Sequence, residues 1–243
     1  MCPSIYIVLP SYMVMAFLGG MAAVFFLYFR TEKFEIEFNS FIKMLVASVI
    51  GVIVGSKVMF FISRVPSLVT NFSIENLLGS TVYGGYVFYG GLFGMIISIL
   101  IMTRKNKENR AKYFTFLVPI MPLFHAFGRV GCFMSGCCYG KELPSAFEIY
   151  GVVIDRIPVQ LIEAVFELIM FVVLTSIVKK SPKVDALRVY LLSYATFRFV
   201  IEFFRGDVLR GVWFGISLAQ WISIGIFVYY IVRGICKKKG KEE

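Results

Sequence analysis

Long apolar runs are the feature that most restricts what this chain can fold into. Seven runs of roughly 17–22 residues are each long enough to cross the hydrocarbon layer of a membrane as an α-helix. A soluble domain could not bury them all, since 58% of the 243 residues are hydrophobic, only 16% are charged and the mean hydropathy is +0.80. The sequence therefore predicts an all-α integral membrane protein, with seven transmembrane helices in a single domain over residues 1–243. The predicted spans are 9–29, 41–62, 86–103, 114–134, 158–178, 187–204 and 212–232.

The positions of lysine and arginine predict how these helices are oriented. Cytoplasmic loops of membrane proteins carry an excess of both residues, and most of the 25 in this chain fall in the loops on one side. The N-terminus is therefore predicted outside and the C-terminus in the cytoplasm. The same loops account for the net charge of +10, so we do not expect nucleic acid as a partner. The cytoplasmic set is Arg30, Lys33, Lys43, Arg104, Lys105, Lys107, Arg110, Lys112, Lys179, Lys180, Lys183, Arg188, Arg233, Lys237, Lys238, Lys239 and Lys241.

The fourth predicted span is the least regular of the seven. Pro119 and Pro122 interrupt it, and Gly128 and Gly131 reduce its side-chain packing. Such breaks persist in a membrane only where protein or water satisfies the freed backbone groups. We therefore expect this span to lie inside the helix bundle.

Polar side chains within the predicted spans converge on the outer half of the bilayer. A charge at this depth costs at least about 2.5–3.5 kcal/mol on insertion scales, so it usually has a partner and a function. Arg198 and Glu202 are four residues apart, hence on one helical face, and can pair. The whole group comprises Lys57, Arg129, Arg198, Glu163, Glu202, Tyr12 and Tyr89.

Two interpretations of this group are open. Each residue taken alone fits a structural ion pair, or a side chain that extends towards the headgroups. Taken together, several cations on a broken, glycine-flanked helix suit an anionic ligand, because guanidinium groups bind phosphate bidentately. A phospholipid headgroup is the anion present at that depth.

Five glycines lie within residues 84–94, at the entrance to the third span. Glycine permits close backbone approach, which serves either tight helix packing or a ligand site lined by backbone, and the two are compatible. Gly90 and Gly91 are therefore candidate ligand-binding residues.

The histidine and the cysteines give weaker signals. His125 is the only histidine, and no His–carboxylate pair or catalytic triad can be assembled around it, so we expect it to be packed and hydrogen-bonded. Three cysteines cluster, but their spacing is not that of a CxxC pair and we expect no metal. They are either small reduced thiols in helix packing or reactive thiols activated by a nearby guanidinium. The clustered cysteines are Cys132, Cys137 and Cys138, and the others are Cys2 and Cys236.

Residues 128–140 resemble the signature of the prolipoprotein diacylglyceryl transferases. That signature reads Gly-Arg-x-Gly-Asn-Phe, a short spacer, then Glu and a closing Gly, and the chain reads Gly128-Arg129-Val130-Gly131-Cys132-Phe133 and closes with Gly140. Five further elements occur in the family's order over almost the whole chain. They are Ser11-Tyr12, Gly55-Ser56-Lys57 (family Gly-Ala-Arg), Tyr89-Gly90-Gly91-Leu92 (His-Gly-Gly-Leu), Pro158 to Glu163 (Pro-x-Gln-x-x-Glu) and Arg198 to Arg205 (Arg-x-x-x-Glu-Phe-x-Arg).

The resemblance implies a reaction in the bacterial cell membrane. The diacylglyceryl group of phosphatidylglycerol would pass to the lipobox cysteine thiol in the signal-peptide region of a prolipoprotein, with release of glycerol phosphate and without a metal or organic cofactor. Arg129 and Arg198 would hold the lipid phosphate, Glu202 would fix Arg198, and Tyr12 would bond the headgroup or the peptide. The implied lipid-binding residues also include Lys57, Glu163, Gly90, Gly91 and Gly140.

The chain departs from the family pattern at the reacting centre. Tyr89 stands where the family has histidine, Cys132 where it has asparagine and Cys137 where it has glutamate. Tyrosine titrates near pH 10 and is a poor base, so the pattern fits a paralogue with an altered acceptor or chemistry. Two alternatives are an exofacial thiol or redox enzyme that uses the three clustered cysteines, and a lipid-binding or transport protein without catalysis.

Overall fold

The computed structural model describes residues 11–70, 87–105, 108–149, 152–181, 184–206 and 212–239. This part of the chain is mostly helical, as predicted. Cys2 and the start of the glycine-rich segment, residues 84–86, lie outside the described residues. The α-helices are α1 (Ser11–Thr31), α2 (Phe38–Thr70), α3 (Phe88–Met102), α4 (Glu108–Leu117), α5 (Ile120–Met134), α6 (Val159–Lys180), α7 (Ala186–Ile201) and α8 (Leu218–Lys239), and a 3-10 turn (Glu202–Phe204) follows α7.

Among the described residues, five helical segments are long and apolar enough to cross a membrane, as expected of an integral membrane protein. The third and sixth predicted spans correspond to α3 and α7, of 15 and 16 residues. At a rise of 1.5 Å per residue these helices are roughly 22–24 Å long, shorter than the hydrocarbon layer. The seven-span topology and its orientation therefore stay predictions. The five segments are Ser11–Thr31, Phe38–Ser63, Arg110–Met134, Val159–Lys180 and Leu218–Cys236.

On α6 the buried carboxylates face the interior of the bundle, and several apolar side chains face outward. Val165, Ile169 and Val172 are each more than half exposed, at 57%, 55% and 60%. On the other side of the same helix, Glu163 and Glu167 are 1% and 0% exposed. This arrangement is expected when the surrounding solvent is lipid, because intramembrane charges face the bundle interior.

The fourth predicted span is broken and internal, as the prolines indicate. Helix α4 ends at Leu117 and α5 begins at Ile120, with Pro119 as the N-cap. Pro122 does not break α5, because it lies in the first turn, where an N–H has no intrahelical partner. Within Arg110–Met134, 56% of the most apolar window is buried, compared with at most 33% in the other four segments. The prediction that this span lies inside the bundle is confirmed.

Helices α2 and α3 cross at very short range through glycines spaced four apart. A Cβ built on Gly55 would lie 2.2 Å from the carbonyl oxygen of Gly90, and a Cβ on Gly94 would lie 1.9 Å from that of Gly51. Small residues at this spacing allow helix backbones to touch in a membrane. The glycine-rich segment therefore serves tight packing, which was one of its two interpretations.

Two short hairpins interrupt the helices, and the hydropathy pattern did not predict them. Strands β1 (Glu142–Ile149) and β2 (Val152–Arg156) pair antiparallel between α5 and α6. Strands β3 (Val212–Trp213) and β4 (Ile216–Ser217) pair directly before α8. The prediction that the last span begins at residue 212 was therefore wrong, because Phe214 and Gly215 adopt positive φ angles of 53° and 80° that a helix does not allow.

The glycine crossing makes a prediction about stability. Gly94→Ala should lower the free energy of unfolding by about 1–3 kcal/mol, because the added methyl group overlaps the backbone of α2. Gly20→Ala is the matched control, since a Cβ there meets nothing within 4 Å, and it should be neutral or stabilising. Unfolding in detergent by a sodium dodecyl sulfate titration, followed by circular dichroism, measures both. Equal stability of the two variants would contradict the packing role.

Candidate functional site

A buried chain of four charged residues joins three helices and the 3-10 turn that follows the third. Glu163, on the second turn of α6, forms ion pairs with Arg129 of α5 and Arg198 of α7. The Nη2 atom of Arg198 also lies 2.7 Å from Oε2 of Glu202, at the start of the 3-10 turn. All four residues are at most 8% exposed. The structure thus brings together four of the predicted site residues, including the pair that is four residues apart.

Glu163 has this central position because one carboxylate offers two oxygens. Its Oε2 faces Arg129 and its Oε1 accepts a hydrogen bond from Arg198. Burying an unpaired charge costs several kcal/mol, and pairing in a low-dielectric interior offsets much of that cost. The two guanidinium groups are consequently held close to each other by a single anion.

Tyr12 approaches the same region from α1. A Cβ built on Gly131 would lie 3.2 Å from the Cα atom of Tyr12, so the backbones of α1 and α5 touch two residues beyond Arg129. Tyr12 is half-buried there, within electrostatic range of Arg129 and Cys132. Glycine at position 131 therefore determines how close Tyr12 comes to the four charged residues.

A second buried network lies one helical turn further along α6. Nδ1 of His125 is 2.8 Å from Oε1 of Glu167, and the hydroxyl of Tyr190 donates to Oε2 of the same carboxylate at 3.1 Å. The ring of Phe88 stacks on His125, with centroids 3.5 Å apart. The prediction of a packed, hydrogen-bonded histidine is confirmed, but the statement that no His–carboxylate pair can be assembled was wrong. Glu163 and Glu167 share one face of α6, since they are four residues apart.

Tyr89 joins α3 to α8. Its hydroxyl is 2.8 Å from Oγ of Ser223, which in turn donates to the carbonyl oxygen of Ala219 at 2.9 Å. Ser223 has one hydrogen to give, so Tyr89 is the donor between the two hydroxyls. The Tyr89 ring packs edge-on against Tyr194, with centroids 5.3 Å apart.

The remaining predicted residues are placed by backbone packing. Gly90 and Gly91 are buried in the crossing of α2 and α3, and Lys57 is half-buried on α2, two residues after Gly55. Gly140 donates from its backbone to Ile157 at 3.1 Å, and a Cβ on it would lie 2.4 Å from that same carbonyl oxygen.

The segment around Gly140 forms a junction between the loop after α5, the start of α6 and the end of the 3-10 turn. The backbone N–H of Lys141 donates to Phe204 at 2.9 Å, and that of Gly206 donates to Tyr139 at 3.1 Å. Arg205 pairs with Gly140 through a backbone bridge and is only 6% exposed. Arg205 directly follows the predicted span 187–204, and it is the last residue of the motif that begins at Arg198.

The end of α5 brings the three clustered cysteines together. Gly136 has a φ angle of 68°, the N–H of Cys137 bonds to the carbonyl of Cys132 at 3.1 Å, and that of Gly136 bonds to Phe133 at 3.1 Å. These are the two bonds of a Schellman helix end. The three sulfur atoms of Cys132, Cys137 and Cys138 consequently lie within 4.8 Å of one another.

The thiol cluster is partly accessible and is close to positive charge. Cys137 is exposed, and Cys132 and Cys138 are half-buried. Hydrogen bonds within the cluster, and the guanidinium groups of Arg129 and Arg205, hold the pKa of the Cys138 thiol below its ordinary value.

Comparison with known proteins agrees with these motifs. The family model described as prolipoprotein diacylglyceryl transferase matches residues 3–235. The chain belongs to the prolipoprotein diacylglyceryl transferase family.

Individual members of the family are similar to this chain over most of its length. The phosphatidylglycerol–prolipoprotein diacylglyceryl transferase of Clostridium tetani is 32% identical over 238 residues, which cover 92% of this chain and 93% of the relative. The phosphatidylglycerol–prolipoprotein diacylglyceryl transferase 2 of Clostridium perfringens is 30% identical over 82% of this chain and 79% of its own length. The phosphatidylglycerol–prolipoprotein diacylglyceryl transferase of Idiomarina loihiensis is 27% identical over 93% of this chain and 87% of its own length.

Sequence reasoning missed two buried charged residues of this family member. Glu167 lies in the middle of a predicted span, and an intramembrane carboxylate is itself a signal of a polar partner. Arg205 was visible as the final arginine of the motif that begins at Arg198. Both are at most 6% exposed; Glu167 lies one helical turn after Glu163, and Arg205 lies at the junction with Gly140.

The shared carboxylate makes a prediction about stability. Glu163→Ala should lower the free energy of unfolding by about 3–5 kcal/mol, because it removes the carboxylate that Arg129 pairs with and leaves Arg198 with Glu202 alone. Glu142→Ala is the control: it breaks the pair with Arg156, whose atoms are 2.9 Å apart, but Glu142 is 77% exposed. The loss there should be about 0–1 kcal/mol. Chemical unfolding in detergent measures both, and equal losses would refute the central role of Glu163.

Proposed function

We propose that this chain transfers the diacylglyceryl group of phosphatidylglycerol to the lipobox cysteine of a prolipoprotein. The relatives named above carry this activity in their names. In this reaction the substrate thiol attacks the glyceryl carbon that bears the phosphate. The thiol loses its proton to water, a carbon–sulfur bond forms, the carbon–oxygen bond breaks, and glycerol phosphate leaves with the electron pair.

The observation that carries this proposal is the pair of buried guanidinium groups held by Glu163. A guanidinium has five N–H donors, so each arginine can contact Glu163 and a phosphate oxygen at the same time. Phosphate charge increases as the diester becomes a leaving monoester. Fixed cations in a site that excludes water stabilise such developing charge more strongly than water does. Arg129 and Arg198 therefore bind the headgroup and stabilise the leaving group.

The neighbouring residues keep these two arginines in position. Glu202 holds Arg198 from the opposite side to Glu163, with 2.7 Å between Nη2 and Oε2. A Lys57 ammonium adds a third cation for the headgroup. Tyr12, beside Arg129, bonds either the headgroup or the incoming peptide.

The tyrosine and glycine residues shape the site. Tyr89 takes the family's histidine position, and its hydroxyl donates to Ser223. Its role is to orient the groups around it, because a phenol is a poor base near neutral pH. Gly90 and Gly91 let α3 approach α2, and Gly140 fixes the junction beside Arg205.

The membrane arrangement belongs to the same proposal. The chain is one domain that spans the bacterial plasma membrane seven times, with α3 and α7 as the two short spans. The N-terminus is outside and the C-terminus is in the cytoplasm, as the basic loops indicate. This orientation puts the charged chain in the outer half of the bilayer, where a translocated signal peptide and the headgroups of the outer leaflet both have access.

Removing either arginine should abolish transfer. Arg129→Ala and Arg198→Ala should each lower turnover by at least about 10²–10³-fold, because each removes a charged donor to the phosphate. The assay uses membranes with phosphatidylglycerol and a lipobox peptide, and mass spectrometry detects a gain of one diacylglyceryl unit. Arg156→Ala is the control, since Arg156 lies on the β2 strand over the ring of Tyr139.

The outcome distinguishes phosphate binding from a structural ion pair. Loss of transfer in both variants, with normal membrane insertion and normal turnover of Arg156→Ala, supports the assignment. Near-normal turnover of Arg129→Ala or Arg198→Ala would refute it.

The predicted orientation can be tested with the exposed cysteines at the two ends of the bundle. Cys137 and Cys236 are both exposed, and variants that retain only one of them give single labelling sites. A membrane-impermeant maleimide should label Cys137 in intact cells, and should label Cys236 only after the cells are opened. Labelling of Cys236 in intact cells would reverse the orientation.

A further inference from the structure

The three thiols at the end of α5 lie close enough together to hold a metal ion, although their spacing in the sequence did not predict one. Among the described residues, Cys132, Cys137 and Cys138 form the group of potential ligands close enough to share an ion. Zinc binds thiolate sulfur at about 2.3 Å in a tetrahedron, which sets sulfur atoms about 3.8 Å apart. The present separations, all within 4.8 Å, need to close by at most about 1 Å, which cysteine rotamers allow.

Hydrogen bonds within the protein hold the backbone around these thiols in place. The Schellman bonds turn Cys137 back over Cys132, and the side-chain amide of Gln160 donates to the carbonyl of Cys137 at 2.7 Å. Cys138 itself has a φ angle of 59°, which a non-glycine residue adopts only where its surroundings require it. This turn places the Cys138 sulfur on the same side as the other two.

The surrounding charge favours thiolates bound to a divalent cation. Three thiolates and one Zn²⁺ carry a net charge of −1. Arg129 lies one helical turn before Cys132 on the same face of α5, and Arg129 and Arg205 are both within electrostatic range of Cys138. The two guanidinium groups therefore lower the electrostatic cost of the thiolates, although Arg129 is also paired with Glu163.

We propose that Cys132, Cys137 and Cys138 bind one Zn²⁺ and that its fourth position takes the acceptor thiol of the prolipoprotein. This inference rests on the proposed diacylglyceryl transfer and names the group that activates its nucleophile. Cys137 is the exposed member of the cluster, so the open position faces the outer aqueous side. Soft sulfur ligands select zinc over magnesium or calcium.

The bound zinc would deprotonate the acceptor thiol, because Tyr89, in the family's histidine position, is a poor base. A thiol that coordinates zinc loses its proton outright, so the acceptor binds as a thiolate and releases one proton to water. The thiolate attacks the glyceryl carbon, a carbon–sulfur bond forms, and glycerol phosphate leaves with the electrons of the carbon–oxygen bond. The product is a neutral thioether, a weak ligand that leaves the zinc free for the next acceptor.

Metal content tests the site independently of activity. The full-length protein, purified in detergent with reductant and equilibrated with zinc, should retain one Zn²⁺ per chain after gel filtration, measured by inductively coupled plasma mass spectrometry. Cys132→Ser, Cys137→Ser and Cys138→Ser should each lower retained zinc to background, whereas the control Cys236→Ser should retain it. Background zinc in the parent, or full retention in all three variants, would overturn the proposal.

A second measurement covers the case in which the serine variants fold poorly. In the folded parent protein, added zinc should block maleimide labelling of Cys137 and leave labelling of Cys236 unchanged. Unchanged labelling of Cys137, or a disulfide within the cluster in the protein as isolated, would also overturn the proposal.

The fourth position is tested with a lipobox peptide on the cobalt-loaded protein. The thiolate-to-cobalt absorption should intensify when the peptide is added, and a peptide with serine in place of the acceptor cysteine should leave the spectrum unchanged. Equal spectra with both peptides would refute binding of the acceptor thiol. Transfer that continues at the full rate in metal-free protein would refute the zinc role while leaving the proposed function intact. Zinc binding without any transfer to the peptide would instead count against the proposed function.

Discussion

Two arginines in the interior of the helix bundle depend on one carboxylate. Glu163 is 1% exposed and forms ion pairs with both Arg129 and Arg198, so three helices are tied together at one point. Without that anion, two cations would lie in a medium that raises the cost of each unpaired charge to several kcal/mol. The position of α5, α6 and α7 relative to one another follows from this requirement, and the candidate site is built around it.

The rest of the bundle makes the charged interior possible by close packing. Lipid provides little driving force for helix association, so helices adhere where their backbones can touch. A Cβ added to the glycines where α2 and α3 cross would lie closer to the other helix than an ordinary contact. Gly131 allows a similar close approach between α1 and α5. These contacts leave no space for side chains between the helices where they cross, and the ion pairs of Glu163 lie where α5, α6 and α7 meet.

Hydropathy and charge were sufficient to predict a membrane protein, the internal position of the broken span, and the pairing of Arg198 with Glu202. They fail where the structure depends on rotation between helices or on a backbone turn. The contact of His125 with Glu167 needs the relative rotation of α5 and α6, which one sequence does not reveal. The convergence of the cysteines needs the positive φ angles at Gly136 and Cys138. The hairpin of β1 and β2 lies in a loop whose length alone gave no sign of strands.

The order of the charged residues along the chain also bears on how the protein enters the membrane. Arg129 and Glu163 lie on consecutive long helices, so they can meet as one helical hairpin leaves the insertion machinery. Arg198 has Glu202 one turn away on its own face, and this short-range pair can form within a single segment before α7 finds Glu163. Each of the four charged residues therefore has an oppositely charged partner close to it in the sequence or on the next helix of the site. Each costly side chain can thus be compensated during synthesis, and the shared carboxylate completes the assembly when α7 docks.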